Sequence, residues 1–124
     1  MNNEKNHTRY IDIESFVTRD ASTIRELMHP ASHSVHHQSL AEAIVEPGQT
    51  TLLHRHTESE EIYYILSGKG QMTLGEHQFM VARRDSIVIR PGTAHCIKNV
   101  GANPLIILCC CAPAYSDQDT ELLV

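Results

Sequence analysis

The segment His54-Arg55-His56-Thr57-Glu58-Ser59-Glu60-Glu61 sets two imidazoles one residue apart and follows them with three carboxylates. On an extended strand, residues i and i+2 face the same side, so His54 and His56 can present two ring nitrogens to one point. Neutral imidazole is the commonest protein ligand for borderline divalent metals, and a carboxylate often completes the set. Glu58, Glu60 and Glu61 all stand close enough in sequence to supply it. Glu61 opens the apolar run Glu61–Leu66, and a hairpin-like return over Thr57–Glu60 would bring that run beside the histidines. A third imidazole, His95, follows the turn Arg90-Pro91-Gly92-Thr93-Ala94 and opens another candidate strand. Three imidazoles and one carboxylate suit a divalent ion such as Mn, Fe, Co, Ni or Zn and leave positions open for water, substrate or dioxygen.

A His-x-His pair alone is weak evidence, because surface strands carry such pairs by chance. His7, His29, His33, His36, His37 and His77 stand in no ligand-like arrangement. The order of the remaining histidines along a set of strands is what gives them weight.

Those strands are legible between turn signals. Pro47-Gly48, Ser67-Gly68-Lys69-Gly70, Gly75-Glu76, Arg83-Arg84-Asp85, Pro91-Gly92-Thr93 and Gly101-Ala102-Asn103-Pro104 punctuate the chain. Between them lie runs rich in β-branched, aromatic and aliphatic residues: Leu40–Val45, Glu61–Leu66, Gln71–Leu74, Phe79–Ala82, Ser86–Ile89, Ala94–Val100 and Leu105–Cys111. Short strands at this spacing predict an all-β sandwich or barrel. No segment keeps a helical period; Ser22–Met28 reads as a helical turn or, by its alternation, as an early strand. Residues 1–9 are polar and expected to be disordered. Residues 10–39 read as N-terminal strands and a loop, with 30–37 exposed; residues 40–112 read as the barrel. The tail 113–124 is acidic and then apolar, suited to wrapping back onto the barrel or onto a partner subunit.

In these residues the chain resembles the cupin superfamily. The first cupin motif runs Gly, five residues, His-x-His, three or four residues, Glu, six residues, Gly. Here Gly48, His54, His56, Glu61 and Gly68 fill every place. The second motif is met by Gly92, His95 and Asn99, whereas Arg84 stands at its leading glycine and Arg90 at its first proline. The resemblance spans residues 40–111 and implies a single-domain double-stranded β-helix, the jelly-roll barrel. It implies a metal held by His54, His56, Glu61 and His95. The six-residue interval before Gly68 selects Glu61, and Glu60 then points to solvent on the opposite face of its strand. With Glu61 inward, Tyr63 and Ile65 face inward too, and Cys96 faces away from the metal. Asn99 is expected to secure a turn or strand. Arg90 reads either as a guanidinium offered to an anionic substrate or as a solvated surface residue, the commoner case.

Cupins include dioxygenases, isomerases, decarboxylases, storage proteins and sensors, so the fold does not fix the reaction. The resemblance implies a metal-dependent enzyme on a small organic substrate, of dioxygenase or isomerase type, the ion serving as Lewis acid or dioxygen site. The alternative is a non-catalytic module that binds a metal or small molecule. It also implies a homodimer, with Tyr10–Val17 and Thr23–Met28 candidates to add strands to a neighbour's sheet.

Composition agrees with one small domain. The chain has 124 residues and a net charge of −5 with scattered basic residues, so it offers no nucleic-acid patch. No apolar run approaches the roughly 20 residues of a membrane span, and the polar N-terminus lacks a signal-peptide core. A cytoplasmic protein without membrane partners is expected. The four cysteines form no C-x-x-C pair, and Cys109-Cys110-Cys111 alternate between strand faces, which suits small buried hydrophobes in a reducing compartment better than a disulfide framework.

Overall fold

The computed structural model describes residues 5–123. Eleven strands follow a short 3-10 turn at Tyr10–Asp12: β1 (Phe16–Val17), β2 (Thr23–Met28), β3 (Ser39–Val45), β4 (His54–His56), β5 (Glu60–Ser67), β6 (Lys69–Leu74), β7 (His77–Ala82), β8 (Ser86–Ile89), β9 (His95–Asn99), β10 (Leu105–Ala112) and β11 (Thr120–Leu122). They form two antiparallel sheets, ordered β1-β2-β3-β10-β5-β8 and β11-β4-β9-β6-β7. This is the double-stranded β-helix that the two motifs imply. Among the described residues, no helix is long and apolar enough to cross a membrane.

Alternation builds the core. Along β10, Leu105, Ile107, Cys109 and Cys111 are buried while the residues between them are only partly so. Along β5, Glu61, Tyr63 and Ile65 are buried and Glu60, Ile62 and Tyr64 are exposed. Ile65, Ile107, Met72 and Ile97 meet between the sheets, each at most 1% exposed. Burying one such side chain contributes about 1.5–3 kcal/mol, and this packing fixes which face of each strand looks inward.

The turns place the strands. Gly68 takes the chain from β5 into β6 at φ +96°, where a Cβ would lie 2.9 Å from both the Leu105 Cα and the Pro104 carbonyl oxygen. Arg84 occupies a left-handed position at φ +75°, so the arginine at the motif's customary glycine keeps the glycine conformation. Asn99, 1% exposed, donates from Nδ2 to the Val45 carbonyl at 2.9 Å and the Asn103 carbonyl at 2.8 Å, and its Oδ1 accepts from the Gly101 amide. It secures a turn, as expected.

The two ends of the chain take definite places. Thr23–Met28 is a strand rather than a helical turn, and it pairs with β3 of its own chain. Residues 1–4, part of the segment expected to be disordered, lie outside the described residues. Lys5 and Thr8 bond to Ser34 and Leu27. The Tyr10 hydroxyl donates to Glu42 at 2.7 Å on the outer face of β3. The tail returns to the barrel: Thr120, Glu121 and Leu122 pair with His56, Arg55 and His54.

Candidate metal centre

Two strands of the five-stranded sheet and one of the six-stranded sheet meet at one polar spot. β4 sends His54 and His56 to the same side, and His54 pairs directly across the ladder with His95 of β9. The ring centroids are 4.2 Å apart for His54 and His95, 5.2 Å for His54 and His56, and 5.5 Å for His56 and His95. One nitrogen of each ring lies within 4.8 Å of the other two. Glu61 faces them from β5, with Oε1 3.2 Å from His56 Nε2 and 3.4 Å from His95 Nε2. All four residues are buried, at 5% exposure or less. Glu60 lies in solvent on the opposite face.

Each imidazole is oriented from behind. His54 Nδ1 donates to the Leu52 carbonyl at 2.8 Å and His95 Nδ1 to the Thr93 carbonyl at 3.0 Å. A carbonyl only accepts, so both rings carry their proton on Nδ1. His56 Nδ1 lies 3.1 Å from the Thr120 hydroxyl, which itself donates to the Ser116 carbonyl at 2.8 Å and therefore accepts from His56. The Nε2 lone pairs of His56 and His95 thus turn toward Glu61, and that of His54 is left free on the same side of β4, in the arrangement metal-binding histidines adopt when a partner fixes the tautomer. The Cys111 thiol donates to Glu61 Oε2 at 3.4 Å and leaves Oε1 to face the rings.

Two of these buried atoms, Glu61 Oε1 and His95 Nε2, have no hydrogen-bond partner. The short Glu61–imidazole separations are not aligned as hydrogen bonds; acceptor faces acceptor. A buried polar atom left unsatisfied costs about 1–3 kcal/mol, and a divalent cation answers every one of these lone pairs. The donor set therefore fits a metal. Burial by itself would raise the Glu61 carboxyl; positive charge at the facing His56 and His95 nitrogens, a proton or a metal ion, is what holds its pKa down, to about 2. Burial, with His95 beside it, pushes His54 below the ordinary imidazole value and so favours the neutral, ligating form. Burial raises the Tyr63 phenol and the Cys109 and Cys111 thiols, with the Glu61 charge adding to each, so none is poised as an anion.

The cluster opens into a cavity of about 710 Å³, its open mouth included. Ile24, Ala43, Val45, Ile97, Ile107 and Tyr63 supply much of its wall, and no lysine or arginine is among its described lining residues. Arg90 is exposed and lies outside that lining, the surface reading of its sequence position. Cys96 is likewise outside it, whereas Cys109 and Cys111 line it; all four cysteines are free thiols.

Three contributors escaped sequence reasoning. Thr120 comes from the tail, 64 residues beyond the histidine it orients. Tyr115 sets its ring 5.7 Å from that of His56. Asp20, in the turn between β1 and β2, brings Oδ2 to 3.7 Å from His54 Nε2. None stands at a ligand-like spacing; the signal for Asp20 was only the polar turn Thr18-Arg19-Asp20-Ala21-Ser22.

Comparison with known proteins agrees with this architecture. An uncharacterized protein of Methanocaldococcus jannaschii is 54% identical over 116 residues, covering 94% of this chain and 93% of that one. The mannose-1-phosphate guanylyltransferase RfbM of Salmonella typhimurium is 32% identical over 75 residues, which cover 60% of this chain but 16% of that enzyme. Among solved structures, a variant of Streptomyces Pac13 with uridine superposes with a TM-score of 0.80 at 19% identity, covering 97% of this chain and 92% of that one. Pac13 is a nucleoside dehydratase. The polyketide cyclase RemF from Streptomyces resistomycificus also gives 0.80 at 19% identity, over 96% of this chain and 85% of that one. A family model for the cupin domain matches residues 41–111, the stretch that holds both histidine motifs, and the chain belongs to the cupin superfamily.

Proposed function

We propose that the protein is a metal-dependent enzyme acting on a small organic molecule, with a divalent ion (Mn, Fe, Co, Ni or Zn) held by His54, His56, Glu61 and His95. The observation that carries this reading is the convergence of three Nδ1-tethered imidazoles whose nitrogens lie within 4.8 Å of one another, two of them against a buried carboxylate oxygen that has no hydrogen-bond partner. When bound, the ion would supply Lewis-acid polarisation of a substrate oxygen or, for a redox-active metal, dioxygen chemistry, which keeps isomerase and dioxygenase types both in view. The protein's own contribution is orientation and exclusion of water. Leu52, Thr93 and Thr120 hold the rings, Cys111 holds Glu61, and the aliphatic wall with Tyr63 encloses the reacting end of the substrate.

The lining also bears on the substrate. A phosphate ester calls for Arg, Lys or a backbone anion cradle, and the described lining has no cationic side chain. A small, largely apolar molecule with one polar end suits it better than a sugar phosphate. The similarity to guanylyltransferases, confined to 16% of their length, does not carry their nucleotide-sugar chemistry to this chain. The nucleoside dehydratase and polyketide cyclase among its structural neighbours support the small-molecule class.

Metal analysis of protein purified without an affinity tag tests this reading, with His54→Ala beside wild type. Wild type is expected to take up one divalent ion per chain and His54→Ala to lose it. A wild type that retains no near-stoichiometric ion under any loading condition refutes the site. Turnover in a substrate panel, followed by product formation and oxygen uptake, then separates an enzyme from a non-catalytic binding module, which would bind a ligand tightly and leave it unchanged.

A second copy of the chain is the proposed macromolecular partner. Ile62 and Val88 pair across β5 and β8 on the outer face of the six-stranded sheet, at 46% and 52% exposure, with Tyr64 and Leu66 beside them. β8 is also an edge strand of that sheet, and such edges are commonly covered.

A further inference from the structure

We infer that Asp20 is a further acidic donor to the ion, meeting it from the side of His54 while Glu61 meets it from the side of His56 and His95. The inference rests on the metal site proposed above and adds to it a residue from outside both histidine motifs.

Asp20, its side chain 14% exposed, is held in place by three hydrogen bonds. Its Oδ1 accepts from the Thr18 hydroxyl at 2.6 Å, the Ser22 hydroxyl at 2.6 Å and the Ser22 amide at 3.0 Å. Ser22 is itself 4% exposed. With Oδ1 occupied, Oδ2 is aimed at His54 Nε2, 3.7 Å away, and both Asp20 and His54 line the cavity. Closing the turn explains the Oδ1 contacts; it does not explain the direction of Oδ2.

The backbone supports the same placement. Ala21, next in the chain, sits at φ +73°, a left-handed conformation that disfavours a residue with a Cβ. Such outliers persist where the surrounding structure over-determines them, and they cluster at functional sites. The Asp20 carbonyl accepts from the Leu52 amide at 2.8 Å, and the Leu52 carbonyl accepts from His54 Nδ1 at 2.8 Å. One residue therefore clamps both the Asp20 turn and the imidazole it faces.

The contact itself identifies the missing partner. His54 carries its proton on Nδ1, so Nε2 offers a lone pair to a carboxylate that also offers lone pairs. An ordinary ion pair would require a second proton on a buried ring that already faces two other imidazoles. A bound divalent cation would answer both lone pairs, with His54 and Asp20 among the residues that would hold it. The charge balances as well: Glu61 and Asp20 together offset a divalent ion, whereas Glu61 alone leaves a net positive charge buried. A second carboxylate moves the donor set toward harder, six-coordinate ions such as Mn(II) and away from Zn(II).

Titration calorimetry of the metal-free full chain with Mn(II) and with Zn(II) tests this, comparing wild type, Asp20→Asn and Glu61→Gln. Asp20→Asn keeps an acceptor for Thr18 and Ser22 and removes the charge. It is expected to weaken Mn(II) binding at least tenfold and Zn(II) binding less. Mn(II) affinity within twofold of wild type, with Glu61→Gln clearly impaired, overturns the role of Asp20 and leaves the four-residue site standing. Loss of neither ion's affinity in Glu61→Gln, or no binding by wild type, overturns both. Should Asp20→Asn melt early, water-proton relaxation of Mn(II)-loaded wild type decides the matter. Five protein donors on a six-coordinate ion leave one bound water; two bound waters refute the inference.

Discussion

Glu60 and Glu61 are identical in chemistry and differ only in the face of β5 they occupy. Glu61 is 5% exposed against two imidazoles, and its neighbour is in solvent. Removing a metal ligand leaves the other donors buried and incompletely satisfied, whereas removing a solvated carboxylate changes little. Glu61→Ala is therefore expected to lower metal affinity by a hundredfold or more, and Glu60→Ala to leave it within twofold, as read by metal competition with a chromophoric chelator. The opposite ranking would place the carboxylate register one residue away. The interval to Gly68, read through the cupin motif, anticipated the inward face of Glu61, because a strand's period of two makes a one-residue difference a change of face. What the spacing did not contain was the support: Thr120 behind His56, and the Cys111 thiol on Glu61 Oε2.

At the scale of elements, two left-handed positions make contrasting predictions. At Gly68 a Cβ would meet backbone of Pro104 and Leu105 at 2.9 Å, and φ is +96°. Gly68→Ala is expected to cost about 2–3 kcal/mol and lower the melting temperature by roughly 10 °C, measured by differential scanning calorimetry. At Arg84 the left-handed conformation is already imposed on a residue with a Cβ. Relief of about 1–2 kcal/mol of local strain is offset by about 0.5–1 kcal/mol from the added freedom of glycine in the unfolded chain. Arg84→Gly is expected to raise the melting temperature by about 2–4 °C; a lower value would show that the arginine side chain holds this turn by contacts worth more than the strain. The central strands were legible because each carries a clean alternation between turn residues, and Ser86–Ile89 lies where the pattern puts it. β11 was not, since three residues of a polar tail have no period; they become a strand only because β4 offers an open edge.

For the whole molecule, the outer face of β5 and β8 is one place where burial remains incomplete among the described residues. Ile62, Tyr64, Leu66 and Val88 form a continuous apolar stripe there, of the kind that marks an interaction surface. Light scattering coupled to size exclusion is expected to give a dimer for wild type and a monomer for the double variant Tyr64→Glu, Val88→Glu, with the melting temperature of each recorded to separate dissociation from unfolding. A dimer that survives both substitutions would assign the interface elsewhere. Thr23–Met28, expected from sequence to be able to join a neighbour, pairs with β3 of its own chain, and β1 beside it forms the other edge of the sheet.

By itself the sequence determined the barrel, the inward face of its central strands and the grouping of His54, His56, Glu61 and His95. The barrel and the inward faces follow from local alternation, and the grouping of the four residues is what the resemblance to the cupin motifs implies; neither needs knowledge of distant contacts. Only the tertiary structure decided what surrounds that group. It brought the tail to His56, the thiol of β10 to Glu61, and the turn after β1 to His54. The physical reason is closure. When two sheets fold over a shared core, chain segments far apart in sequence meet at the same level of the barrel, and no spacing between residues records which ones they will be.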